Sequence, residues 1–160
     1  MTELTHIDTD GNAVMVDIMK KNETERTAIA AGSIFMKSTT LELINKRAVK
    51  KGDVLSIAQI AGIMGSKRTP DLIPLCHPIN LTSVNLILTP IIDDSSISIE
   101  ATCKVVGKTG VEMEALTAVT VTALTIYDMC KAADREMRIS DIRLVYKAGG
   151  KSGEYREIKQ

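Results

Sequence analysis

The sequence predicts a single α+β domain, in which helices pack on one face of an antiparallel sheet. Its 160 residues, 44% of them apolar and 25% charged, are enough for one hydrophobic core and too few for two. Segments with the two-residue alternation of strands are interspersed with segments that have the wider apolar spacing of helices. Their order is strand, helices, strand, strand, helix, strand, which is that of a ferredoxin-like sandwich.

The first half of the chain predicts one strand followed by two helices. Residues 26–36 combine small and β-prone side chains, and Gly32 among them predicts a bulge or a close approach. Thr39 and Glu42 have the spacing of a capping box at the start of a short helix. Asp53 fits as the N-cap of a second helix, which is apolar around nearly its whole circumference and so requires burial on several sides.

The second half predicts a hairpin, a long helix and a final strand. Residues 83–106 contain two β-prone runs separated by an Asp-Asp-Ser turn. Residues 111–137 contain no Gly or Pro, and the length of this span favours a helix over a strand. Within it we expect Asp134 and Arg138 to form an i,i+4 ion pair. Residues 142–146 alternate as a strand does.

The termini are predicted to lie outside this domain. Residues 1–13 are rich in turn-forming side chains without periodicity, which predicts a flexible N-terminal arm. Residues 14–147 form the single folded domain. The glycine-rich segment that follows begins a flexible C-terminal tail over residues 148–160.

Composition excludes several classes of function. Twenty basic and twenty acidic residues give a net charge of +0, and aromatic residues make up only 2%, so we expect no nucleic-acid partner. No apolar run approaches the ~20 residues that span a bilayer, so we expect no membrane partner. The three cysteines are far apart and form no Cys-x-x-Cys pair, and the N-terminus does not resemble a signal peptide. We therefore expect a cytoplasmic protein.

A set of cations lies in apolar or glycine-bearing surroundings, where charge is less expected: Lys51, Lys67, Arg68, Lys131 and Lys147. Lysine is seldom fully buried, so simple solvation is the alternative for each of them. Asp128 precedes Lys131 by three residues in the predicted long helix. This spacing lets a carboxylate hold an ammonium group or exchange a proton with it, and a purely structural ion pair explains it equally well.

His77 lies in a loop that Pro74 and Pro78 keep out of helix. A histidine held in this way suits a phosphate donor or a proton shuttle, although its nitrogens can equally serve to fix the loop. Cys76 precedes it, and an adjacent ring does not readily turn onto the preceding thiol. We therefore favour a packing role for Cys76 over a nucleophilic one.

Two carboxylates begin the long helix. Glu112 and Glu114 complement the helix dipole there, which is sufficient as a structural reason. Together with His77 and Asp128 they form a conceivable set of metal ligands, but their spacing fits no template, so no metal site is predicted.

Two short segments imitate a phosphate-binding P-loop, and neither fits. Gly107-Lys108-Thr109 precedes a helix, but Thr102 stands where the first glycine is required. Gly150-Lys151-Ser152 has Val145 at that position, and only eight residues follow it. The backbone amides of residues 110–113 can still bind an anion at the start of the helix.

Longer strings cover nearly the whole chain and carry a family resemblance: Met15-Val-Asp-Ile18, Lys51-Gly-Asp-Val-Leu55, Ile60-Ala-Gly-Ile-Met64, Leu72-Ile-Pro-Leu-Cys-His-Pro78, Thr109-Gly-Val-Glu-Met-Glu-Ala-Leu-Thr-Ala118, Leu124-Thr-Ile-Tyr-Asp-Met-Cys-Lys131 and Lys147-x-Gly-Gly-Lys-Ser-Gly153. They resemble the cyclic pyranopterin monophosphate synthase family, also called molybdenum cofactor biosynthesis protein C. Gly65-Ser66 departs from the family, which usually has small residues such as alanine there.

The resemblance implies a homohexamer, arranged as a trimer of dimers with active sites at dimer interfaces. It implies a cyclised guanosine triphosphate as substrate, (8S)-3',8-cyclo-7,8-dihydroguanosine 5'-triphosphate, which a radical S-adenosylmethionine enzyme makes in the preceding step. The products are cyclic pyranopterin monophosphate and diphosphate. We expect no cofactor, apart from Mg²⁺ that a triphosphate can bring with it.

The resemblance also implies site residues. The catalytic positions match Asp128, Lys131 and Lys51. The substrate-binding positions match Leu75, Cys76, His77, Met113, Glu114, Glu112, Arg26, Lys67 and Lys147.

The four lysines in this set are expected to divide between two roles. Desolvation and neighbouring cations would lower the pKa of Lys51 and Lys131 for proton transfer, whereas Lys67 and Lys147 would bind phosphate. Two alternatives remain at this point: a sensor domain that binds a guanine nucleotide or pterin without turnover, and a metal-dependent phosphohydrolase.

Overall fold

The structure is a computed structural model that describes residues 5–50 and 52–158. Its elements, in chain order, are β1 (Thr24–Phe35), α1 (Ser38–Asn45), α2 (Val54–Ser66), α3 (Thr69–Leu72), β2 (Ser83–Ile91), β3 (Ser96–Gly107), α4 (Glu112–Cys130), β4 (Arg138–Ala148) and β5 (Tyr155–Arg156). The five strands form one antiparallel sheet in the order β2-β3-β1-β4-β5. The predicted α+β sandwich is confirmed.

The core lies between this sheet and α4. Alternate residues of β1 and β3 are buried, as the sequence pattern predicts: Ala28, Ala30, Ile34, Ile97, Ile99, Ala101, Cys103 and Val105. α4 packs across β1, β3 and β4, and α2 packs on α4 and β2. The start of α4 is therefore held against the centre of the sheet.

Close packing between α2 and α4 depends on Gly62. A Cβ at this position would overlap the Thr122 hydroxyl and would lie 2.9 Å from Cδ1 of Leu86. Gly32 in β1 is similarly covered by Val119 of α4, and the pairing of β1 with β4 is irregular beside it. The predicted close approach at Gly32 is confirmed.

The two predicted helix starts have different outcomes. Asp53 is the N-cap of α2, where its carboxylate accepts a hydrogen bond from Ser56 N at 3.1 Å, as predicted. The capping box at Thr39 is wrong, because α1 begins at Ser38 and its N-cap is Lys37, two residues before Thr39. Lys37 has no side-chain capping bond of its own, and its backbone N–H instead donates to Asp134 Oδ2 at 2.8 Å.

Two further predictions near Asp134 are wrong. The long helix ends at Cys130 and not at Met137, and a turn follows in which the N–H groups of Ala133 and Asp134 donate to the Cys130 carbonyl. The buried Asp134 carboxylate is directed to the start of α1, so the predicted ion pair with Arg138 does not form. Arg138 lies over the Phe35 ring at 4.5 Å.

Both terminal segments contain local order within the described residues. Ile7 bridges to Ala13 in a turn that the Asp8 side chain holds together. Tyr155 and Arg156 form β5 on the edge of the sheet beside β4. No helix in the described ranges is both long enough and apolar enough to cross a bilayer.

Candidate active site

A cavity of about 530 Å³ opens at the start of α4, and we call it the α4 cavity. Its wall contains most of the predicted substrate-binding residues: Arg26, Leu75, Cys76, His77, Glu112, Met113, Glu114 and Lys147. These residues come from β1, the loop after α3, the first turn of α4 and the end of β4. Residues far apart in sequence therefore meet at one place.

The sheet register places two of the cations side by side. β1 pairs with β4 so that Ala28 lies opposite Lys147 and Thr27 opposite Ala148. Arg26 is thereby next to the end of β4, and its guanidinium donates to the carbonyls of Gly107 at 2.9 Å and Lys108 at 3.2 Å. These bonds fix its position without neutralising its charge.

Glu112 and Lys147 form a bridge across the cavity wall. Lys147 Nζ lies 2.9 Å from Glu112 Oε1 and 3.1 Å from Ser152 Oγ, and the side chains of Glu112 and Lys147 are about three-quarters buried. An ammonium held by one carboxylate and one hydroxyl keeps a further proton that it can direct at an anion.

Glu114 has a different environment, although it lies two residues further along the same helix. Only 2% of it is exposed, and it has no ion pair in the described part of the chain. Its pKa is raised from 4.5 to about 7. Burial is the main cause, a backbone hydrogen bond partly offsets it, and the charge of Glu112 adds to the rise. A carboxyl group in this state can both donate and accept a proton near neutral pH.

The thiols beside Glu114 are protonated. Burial, and then the charge of Glu114, raise the pKa of Cys76, and the same two causes raise that of Cys103 to about 12. Neither sulfur is therefore activated as a nucleophile. This agrees with a packing or contact role for Cys76 in the cavity wall.

Asp128 and Lys131 lie at the other end of α4. They line a separate cavity of about 310 Å³ and form an exposed ion pair at 2.6 Å. At the helical rise of 1.5 Å per residue, the sixteen residues from Glu112 to Asp128 span about 24 Å. The α4 cavity and the Asp128–Lys131 pair of one chain therefore do not face each other.

The predicted lowering of the Lys131 pKa is wrong for this chain. The hydrogen bond from Lys131 to Asp128, together with the charge of Asp128, raises that pKa. The side chain is exposed, so desolvation has little weight against this pairing.

A third predicted lysine, Lys67, lies outside the α4 cavity wall. It is the C-cap of α2. Lys51 lies outside the residues that the structure describes.

The apolar character predicted for α2 is visible on its outer face, where Ile57, Ile60 and Met64 remain 41%, 59% and 62% exposed.

Sequence reasoning missed several residues of the α4 cavity. His6, Lys21, Lys108 and Ser152 all line it. Lys108 and Ser152 belong to the two segments rejected as P-loops. Their spacing in the sequence does not indicate that the fold brings them to the same cavity. His6 lies in the N-terminal turn, whose sequence has no periodicity that would predict a place for this side chain in the cavity wall.

The fold and the cavity define a class of protein: an α+β sandwich with a cavity that combines fixed cations with a buried, titratable carboxyl. Among the described residues, no group of three or more His, Cys, Asp or Glu side chains is placed to hold a metal ion. The sequence model of the MoaC family matches residues 15–150. The chain belongs to the MoaC family.

Relatives extend this match over nearly the full length. A cyclic pyranopterin monophosphate synthase of Rhodospirillum rubrum is 64% identical over 150 residues, 94% of this chain and 90% of the relative. The synthase of Thermoanaerobacter sp. (strain X514) is 59% identical over 97% of this chain and 99% of its own length. That of Dinoroseobacter shibae is 57% identical, with 97% and 98% covered. The relatives are synthases, and the chain is an enzyme of the same family.

Proposed function

We propose that this enzyme is a cyclic pyranopterin monophosphate synthase that converts (8S)-3',8-cyclo-7,8-dihydroguanosine 5'-triphosphate into cyclic pyranopterin monophosphate and diphosphate. The reaction class is that of a phosphorus–oxygen lyase. The observation that carries the proposal is the α4 cavity, in a chain whose full-length relatives have this name. This cavity places two carboxyl groups in different environments, those of Glu112 and Glu114, beside the cations Arg26 and Lys147.

The cavity residues divide by chemistry. A triphosphate requires several hydrogen-bond donors, and the cations Arg26 and Lys147 and the ring of His77 supply them from three different segments. Rearrangement of the guanine-derived ring requires groups that exchange protons near neutral pH, and Glu114 is such a group. Closing the cyclic phosphate needs a base for a sugar hydroxyl and stabilisation of the leaving diphosphate.

Asp128, Lys131 and Lys51 complete this proposal as the catalytic set. Asp128 and Lys131 form the carboxylate–ammonium pair that proton transfer needs. The separation of about 24 Å along α4 means that one chain does not bring this pair to its own α4 cavity. We therefore propose that each active site combines the α4 cavity of one chain with the Asp128–Lys131 pair of another.

The exposed apolar stripe on α2 supports such an assembly. Ile57, Ile60 and Met64 recur at helical spacing on its outer face, and an apolar stripe of this kind favours contact with another chain. We propose a homohexamer, a trimer of dimers, as the functional form.

The reaction setting follows from the substrate. The cyclised nucleotide must come from a GTP-cyclising radical S-adenosylmethionine enzyme, with which we propose a functional link. We propose no resident cofactor and expect any Mg²⁺ to enter with the triphosphate. The three cysteines are free, and we place the enzyme in the cytoplasm.

Diphosphate release from the cyclised nucleotide tests the function. The parent enzyme should release diphosphate, whereas Asp128→Asn should bind the same nucleotide nearly as well and release none. If the parent also releases none, the chain is a nucleotide or pterin sensor and the proposal fails. Loss of the parent's activity in chelator, while the nucleotide still binds, would favour a metal-dependent phosphohydrolase instead.

A further inference from the structure

A second cavity, of about 560 Å³, adjoins the α4 cavity, and we call it the cationic cavity. Its charged wall residues are Lys20, Lys21, Arg26 and Lys151, and no carboxylate among the described residues lines it. None of these four pairs with an acidic side chain in residues 5–50 and 52–158. In a chain of net charge +0, this is a local concentration of positive charge.

The fold builds this cavity by bringing the glycine-rich segment after β4 onto β1. Gly150 has a φ of +75°, and a Cβ there would overlap Arg26 Nη1. Glycine therefore lets the backbone lie directly on the guanidinium, which carries Lys151 and Ser152 to the cavity wall. The Lys-Ser pair fails as a P-loop by sequence, yet it borders a cationic site through tertiary contact.

The polar wall of the cationic cavity is made of hydrogen-bond donors. Arg26 has its Nε and Nη2 atoms bonded to the carbonyls of Gly107 and Lys108, which leaves Nη1 beside Gly150. Thr24 also lines the cavity, and its buried hydroxyl has no hydrogen-bond partner in the described part of the chain. Cations and a hydroxyl together suit phosphate oxygens.

The two cavities share Lys21, Arg26 and Ser152, and their other wall residues differ in kind. The α4 cavity contains Glu112 and Glu114, whose carboxyl groups can accept hydrogen bonds from the N–H groups of a heterocycle, whereas the charged residues of the cationic cavity are all cations. A ligand with a heterocycle at one end and several phosphates at the other therefore has one favourable orientation across the shared border.

We propose that the cationic cavity binds the β- and γ-phosphates of the substrate and holds the diphosphate after cleavage, with Lys20 and Lys151 as its distinguishing ligands. The inference rests on the proposed function. In the cleavage step a sugar hydroxyl oxygen bonds to the α-phosphorus, its proton passes to a base, and the bond from the α-phosphorus to the α,β-bridging oxygen breaks. The electron pair leaves with the diphosphate, whose added charge the cationic cavity stabilises.

Inorganic diphosphate is the probe, because its binding needs no turnover. Calorimetric titration of the full-length protein should show tighter binding of diphosphate than of orthophosphate, and the affinity should fall as salt is raised. Lys20→Ala and Lys151→Ala should each weaken diphosphate binding about threefold, and the double variant should weaken it roughly tenfold. Lys46→Ala, which removes an exposed lysine of α1's C-cap, should leave it unchanged.

Steady-state assays give a second readout. Product inhibition by diphosphate should weaken in the double variant by the same factor, while circular dichroism shows the parent fold. Diphosphate affinity equal to that of the parent in the double variant would overturn the inference, even if the parent is fully active. A parent that binds diphosphate through Lys20 and Lys151 but releases none from the nucleotide would defeat the proposed function and leave this site standing.

Discussion

Lys147 Nζ lies 2.9 Å from Glu112 Oε1, and this contact joins the end of β4 to the first turn of α4. Both side chains are about three-quarters buried at the edge of the α4 cavity. The ammonium group is therefore held in place before a substrate arrives. This geometry favours a binding role for Lys147, in contrast to the exposed Lys131 beside Asp128.

Lysine variants should separate these two roles. Lys131→Ala is expected to lower kcat by roughly 10²- to 10⁴-fold with little change in KM, because a proton-transfer group acts in the transition state. Lys147→Ala is expected mainly to raise KM, because its phosphate contact exists equally in the ground state. Diphosphate release measured over a range of substrate checks both, with Lys46→Ala as the control.

The same assay extends to the remaining two lysines. Lys51→Ala should behave like Lys131→Ala, and Lys67→Ala like Lys147→Ala. A change confined to KM in Lys131→Ala would contradict its catalytic assignment.

The carboxyl of Glu114 should make stability depend on pH. Its pKa is about 7 in the folded chain against 4.5 for the free side chain, so the folded state binds the proton more tightly. Its contribution is therefore fully present below about pH 4.5 and is lost as the pH rises through about 7, by about 1–3 kcal/mol in total. Urea unfolding of Glu114→Gln should show a correspondingly flatter pH dependence than the parent.

Glu100→Gln is the control for this measurement, since Glu100 is exposed on β3. It should retain the parent's pH dependence. An unchanged pH dependence in Glu114→Gln would show that burial does not hold this carboxyl neutral.

Substitution of Gly62 should test the close packing of α2 on α4. Gly62→Ala forces apart the Thr122 hydroxyl and the Leu86 side chain, so we expect a loss of about 1–3 kcal/mol in the free energy of unfolding despite the better helix propensity of alanine. Gly107→Ala is a matched control, because its Cβ would meet nothing closer than 3.5 Å. Equal stability of both variants would remove the packing argument.

The alternation of buried residues along β3, and the all-apolar α2 behind Asp53, were sufficient to predict the sheet and its helical layer. These signals are local, since each depends on side chains within one element. The end of α4 was not predictable in this way. The carboxylate of Asp134 accepts a hydrogen bond from the backbone N–H of Lys37, which lies far away in sequence at the start of α1. No pattern within residues 111–137 indicates this contact.

The site shows the same division. His77 and Glu114 were singled out from their sequence context and Arg26 through a family resemblance, and the fold brings all three to one cavity. Neither periodicity nor spacing relates Lys20 to Lys151, because only the contact of Gly150 with Arg26 brings their segments together. The separation of Asp128 from the α4 cavity likewise required the length of α4 to be known.

The shared active site is the central claim, and the most direct test mixes two variants that are each inactive at a substrate concentration well below the KM of the binding variant. Asp128→Asn keeps an intact α4 cavity, whereas the double variant His77→Ala, Lys147→Ala keeps an intact Asp128–Lys131 pair. Reassembled together, they should recover roughly a quarter of the parent's diphosphate release, since random pairing rebuilds one site in four. Asp128→Asn mixed with Lys131→Ala should recover none. If the first mixture also stays inactive while native mass spectrometry shows mixed oligomers, the active site is not shared between chains.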